Sequence, residues 1–140
     1  MEDETDGSEE TMLTHNPPDG VAPARGYSHV VMGEGRLVVI SGQVALDEKG
    51  SVVGEGDPAA QARQVFENLR RCLAAGEATF ADVAKLTFYV TDIGFLPAVR
   101  DARDAHIDVK RPPASTAVQV AALIRPELLI EVEALAIIPW

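Results

Sequence analysis

The segment Leu129–Ile138 near the C-terminus constrains this chain more than any other stretch. Its residues alternate as a β-strand requires, so Ile130, Val132, Ala134, Ala136 and Ile138 share one face, and Leu129, Glu131, Glu133, Leu135 and Ile137 the other. The first set is wholly apolar and suits burial beneath helices. The second mixes large hydrophobes with carboxylates. Leu37, Val39, Ser41 and Gln43 repeat that mixture, as do Lys85, Thr87 and Tyr89. A sheet face left to water is polar, and one buried in a single chain is apolar. A mixed face of this size is expected to meet another copy of the chain.

Further elements surround this strand. Strands are expected at Ser28–Met32 and Leu37–Leu46, joined by a turn at Gly33-Glu34-Gly35, with a short third strand at Ser51–Val53 after the Asp47–Gly50 turn. Asp57-Pro58 is a helix start, with an acceptor at the cap and proline in the first turn. Ala62, Val65, Phe66, Leu69 and Leu73 then recur at helical spacing up to a stop at Gly76. Thr79 to Asp82 reads as a capped turn before a strand at Ala84–Thr91. A second helix is expected from Phe95 to about His106, and strands at Ser115–Leu123 and Leu129–Ile138. The order β-β-β-α-β-α-β-β describes an α+β domain, one sheet with two helices on one face.

Residues 1–20 are acidic, polar and proline-containing, and are expected to be a disordered tail; residues 21–140 form a single domain. The net charge of −10 repels phosphate backbones, so no nucleic-acid partner is expected. No apolar run approaches the roughly 20 residues of a membrane helix, and the acidic N-terminus is unlike a secretory signal. A cytoplasmic protein without a membrane partner follows as the expectation. Cys72, the only cysteine, falls on the apolar stripe of the first helix and reads as packing. His15, His29 and His106 have no ligand spacing, so no metal is expected.

The stretch Arg111-Pro-Pro-Ala-Ser-Thr-Ala-Val-Gln-Val, followed by Ile130-Glu-Val-Glu-Ala, resembles the C-terminal signature of the Rid family, the YjgF-type reactive-intermediate deaminases. Tyr27-Ser28-His29 resembles that family's Tyr-Ser-Gln. Ser41-Gly42-Gln43 is similar to its Ser-Gly-Gln strand, and Leu86–Asp92 to its strand ending in Val-x-Asp. The resemblance spans residues 21 to 140. It implies a chorismate-mutase-like fold, a homotrimeric barrel, pockets between subunits for a small-molecule metabolite, and no cofactor. In relatives that deaminate imino or enamino acids, an arginine holds the substrate carboxylate and a glutamate positions water at the imine carbon.

Carried over by residue, the resemblance makes Glu131 the catalytic glutamate. It places Tyr27, Ser41, Gly42 and Tyr89 around the substrate, together with Ser115, Thr116 and Ala117. Aligned through Val118-Gln119-Val120, the family's arginine falls on Ser115. A serine offers one neutral hydrogen bond where a guanidinium offers a bidentate, charge-assisted contact. The activity implied is therefore hydrolysis or tautomerisation of an enamine or imine other than 2-aminoacrylate. The alternatives are a non-catalytic trimer that binds a small ligand or a partner, or a 2-iminopropanoate deaminase in which Arg25, Lys110, Arg111 or Arg125 replaces the missing cation.

Overall fold

The computed structural model describes residues 13–140. Six strands and two helices follow in the order β1 (Thr14–His15), β2 (Val31–Met32), β3 (Arg36–Val44), α1 (Pro58–Ala75), β4 (Val83–Val90), α2 (Leu96–Asp104), β5 (Ala114–Gln119) and β6 (Ile130–Ile138). The main sheet has the order β3-β6-β4-β5, antiparallel except for the β4–β5 pair. Parallel neighbours need a crossover, and α2 supplies it. The α+β class with two helices on one sheet is as the sequence implied.

The all-apolar face of β6 forms the centre of the core. Ile130, Val132, Ala134 and Ala136 are buried there with Leu86, Phe88 and Val90 of β4, beneath Val65, Phe66, Leu69 and Leu73 of α1 and Val99 of α2. Helix α1 starts where the sequence placed it: Asp57 accepts from the Ala60 amide at 3.1 Å, and Pro58 occupies the first turn. Gly76 caps its end, but Glu77 takes the left-handed conformation at φ 65°. No helix among the described residues is long and apolar enough to cross a membrane.

Four local expectations change. The hairpin through Gly33-Glu34-Gly35 does not form. Val31–Met32 pairs instead with Thr14–His15, and Ser28 bridges to Ala114 at the start of β5. Leu13 drives this, because its buried side chain packs against Gly33 and draws the preceding segment onto the domain. Residues 13–15 thus belong to the fold, although the acidic tail was expected to run to residue 20; residues 1–12 of that tail lie outside the described residues. The third strand shrinks to a single Leu46–Val52 bridge, since the Asp47 carboxylate accepts from both Lys49 and Ser51 amides and closes the turn too tightly for a longer ladder. Finally, α2 stops at Asp104 and β5 at Gln119, each shorter than periodicity suggested.

Candidate functional site

The pairing of β3 with β6 runs in register to Ile40–Ala134 and resumes at Gln43–Val132. Ser41 and Gly42 therefore share the space opposite Glu133. This is a β-bulge, a device that bends a strand and re-aims its side chains. Glycine is needed at its second position. A Cβ on Gly42 would collide with Oε2 of Glu131 and lie 2.7 Å from its Cδ. The Glu131 carboxylate folds into the space left by that missing side chain.

Glu131 stands opposite Tyr89 on β4 and Val44 on β3. Glu133 is its next neighbour on the face and accepts a hydrogen bond from the Tyr89 hydroxyl at 3.2 Å. Burial, and then the charge of Glu133, push the Glu131 carboxyl above the usual carboxylate range. The Tyr89 hydroxyl is likewise raised, by burial and then by its hydrogen bond to Glu133 and the charges of both glutamates. The result is one carboxyl that retains its proton unusually well beside a second that is held by a phenol. A carboxyl shifted toward neutrality is suited to taking up and returning a proton.

The other residues singled out from the sequence fall into two places. Thr116 pairs with Thr87 and its hydroxyl accepts from Lys85 Nζ at 3.0 Å, so it shares the face of Tyr89 and Glu131. Ser115 and Ala117 pair with Leu86 and Phe88, whose side chains point to the opposite face. Tyr27 lies beside the start of β5. Its neighbour Ser28 donates from its amide to Pro113 O at 3.1 Å and from its hydroxyl to Pro112 O at 2.5 Å. Within one chain Gly42, Tyr89, Thr116 and Glu131 thus share a surface, with Ser41 exposed on the bulge. Tyr27 and Ser115 flank a sheet edge.

Of the arginines considered as replacements for the missing cation, Arg111 donates one hydrogen bond to Leu13 O and Arg125 one to Gly50 O. The cation placed next to the β5 signature is Lys85, which sequence reasoning took only as part of a mixed face. Arg103 was also missed. It is buried to 6% exposure, pairs with Asp104 at 2.9 Å, and donates to Gly26 O at 2.6 Å, thereby tying the Tyr27 loop to α2. An arginine adjoining the apolar Val99–Ala102 stripe was the available signal. Among the described residues no group of three His, Cys, Asp or Glu could hold a metal.

The endoribonuclease L-PSP family model matches residues 18–138. The chain is 35% identical to protein DfrA of Myxococcus xanthus over 86% of its own length and 88% of that protein. It is 33% identical to the 2-iminobutanoate/2-iminopropanoate deaminase of Salmonella typhimurium, covering 91% of this chain and 96% of the relative. Among solved structures, the Rid-family protein YyfB of Yersinia pestis superimposes with a TM-score of 0.79 at 36% identity, over 91% of this chain and 100% of that one. By fold, length and sequence, this chain belongs to the YjgF/Rid family.

Proposed function

We propose that this protein is a cofactor-independent hydrolase of a small imine or enamine, acting in pockets shared between copies of the chain. The observation that carries the reading is the Glu131 carboxyl seated in the Gly42 bulge with its proton held above the usual range. In the proposed reaction Glu131 accepts a proton from water as the oxygen bonds to the carbon of the protonated imine, giving a neutral carbinolamine. It passes that proton to the nitrogen as the carbon–nitrogen bond breaks and takes up the hydroxyl proton as the carbonyl forms, releasing a carbonyl compound and ammonia. Tyr27, Ser41, Ser115 and Thr116 serve as neutral polar guides, with the Ala117 backbone beside them and Tyr89 as a wall.

The register supports the sharing of pockets. Ser115 and Glu131 point to opposite faces of one sheet, so a pocket containing both takes them from different copies. The face bearing Glu131 also exposes Leu37, Val39, Val118 and Leu135, which a second copy would cover. The family resemblance implies three copies. Light scattering is expected to give the mass of three 14.9 kDa chains; a stable monomer would refute the shared pocket.

A serine at position 115 supports a substrate without the carboxylate of an imino acid. Loss of a bidentate guanidinium costs about a hundredfold in affinity for such a group. The net charge of −10 also disfavours an RNA substrate, despite the name carried by the family model. The test compares ammonia release, above the spontaneous rate, from enzymatically generated 2-aminoacrylate and from an imine that an amine oxidase makes from a carboxylate-free amine. Acceleration of the second, abolished by Glu131→Gln, is expected. Preferential acceleration of 2-aminoacrylate would overturn the role given to Ser115. Acceleration of neither would favour the non-catalytic ligand-binding alternative.

A further inference from the structure

A cleft of about 780 Å³ opens away from the Glu131 face, between the end of α1, the turn at Thr79–Asp82 and the loop joining α2 to β5. Its volume falls within the roughly 300–1,000 Å³ of small-molecule pockets. Leu73, Val83 and Ile107 give it an apolar floor. One wall is a pair of rings, Phe80 and His106, with centroids 4.8 Å apart and backed by Phe66 at 6.1 and 5.9 Å. Burial holds His106 below its ordinary value, with Glu67 and Arg70 acting in opposite senses. At neutral pH the wall is therefore an uncharged aromatic surface, its two rings tilted by 34°.

The rim has a different character. Arg111 lines the cleft, spends one Nη2 hydrogen bond at 2.9 Å on Leu13 O, and forms no ion pair among the described residues. A guanidinium has five N–H donors, so most of its capacity is open. Asp108 lines the cleft as well, and its carboxylate accepts from the Lys110 amide. His15 also lines the cleft; its Nδ1 is bonded to the Ser28 hydroxyl at 3.0 Å, which leaves Nε2 available.

We infer that this cleft binds a small aromatic carboxylate, its ring laid on Phe80 and His106 and its carboxylate paired with Arg111. Rings prefer such offset, stacked neighbours, and a carboxylate fits the guanidinium fork. Neither Arg111 nor the ring wall takes part in the imine chemistry, so this site stands apart from the first.

Calorimetric titration of the full chain with indole-3-acetate, and separately with indole-3-acetamide, tests the proposal. Saturable binding of one acetate per chain is expected, with the uncharged amide at least about tenfold weaker. Arg111→Gln should bring the acetate down to the level of the amide and leave the amide unchanged. Ala74 is an exposed α1 residue lining the cleft, and Ala74→Trp should fill the space and abolish both while the circular dichroism stays native. Glu131→Gln should alter neither. The proposal fails if the intact chain shows no saturable binding at millimolar ligand. It fails equally if acetate and amide bind alike, or if binding survives a folded Ala74→Trp variant.

Discussion

Gly42 and Glu131 act as one unit. The bulge glycine leaves room for a carboxylate, and the carboxylate gains its altered proton affinity from being enclosed there. Gly42→Ala is expected to displace Glu131 and lower the catalysed rate about tenfold or more, equivalent to roughly 1.4 kcal/mol of barrier, with little change in melting temperature. If the rate is retained, Glu131 does not work from the bulge. The same enclosure predicts a stability effect. A carboxyl whose folded-state value is raised binds its proton more tightly folded than unfolded, so stability falls as pH rises through the carboxylate range. Glu131→Gln should therefore melt higher than the parent protein at pH 7 and lose that advantage as the pH is lowered to about 4. Thermal melts across that interval would show the two curves converging, and a pH-independent difference would exclude ionisation as the cause.

At the level of elements, polar residues within apolar stripes fix how the strands meet the helices. Gln61 is fully buried on α1 and makes three bonds: its Nε2 donates to Gly54 O and Glu127 O, and its Oε1 accepts from the Leu129 amide. It thereby holds the entrance of β6 against the start of α1. Gln61→Leu keeps the bulk but strands those groups, each costing about 1–3 kcal/mol when buried without a partner. Urea unfolding should register a loss of about 3 kcal/mol or more. A loss below 1 kcal/mol would mean that water replaces the side chain. Asn68 does comparable work farther along, donating to Val44 O and Leu46 O just beyond the bulge.

These elements also show what a sequence can reveal. Helix α1 was legible from its cap, its proline and its apolar spacing, all of which are local. Strand β6 was legible because alternation fixes faces without knowledge of neighbours. Val31–Met32 was assigned the wrong partner because strand pairing depends on distant contacts. The deciding one was Leu13, inside a stretch whose composition suggests a tail. Candidate site residues could be named singly, but the opposite facing of Ser115 and Glu131 depends on which strand lies beside β5 and in what register.

Across the whole molecule, the sheet is an open ribbon with β3 and β5 at its edges and one exposed, partly apolar face. A charge introduced at Val39, which is 69% exposed in the single chain, should leave the monomer folded but prevent copies from covering it. Val39→Asp is thus expected to sediment as a monomer with native circular dichroism and to lose activity together with assembly. A fully assembled variant would place the interface elsewhere.

The central position of β6 has a consequence for biosynthesis. It is made after β3, β4 and β5, yet β3 and β4 pair only through it. While the ribosome is still translating the codons before Ile130, α1 and the β4-α2-β5 unit can gather locally, but the two halves of the sheet have nothing between them. Completion of this sheet must therefore await emergence of β6 from the exit tunnel. A premature stop codon just before Ile130 would remove the keystone of the sheet rather than trim its margin.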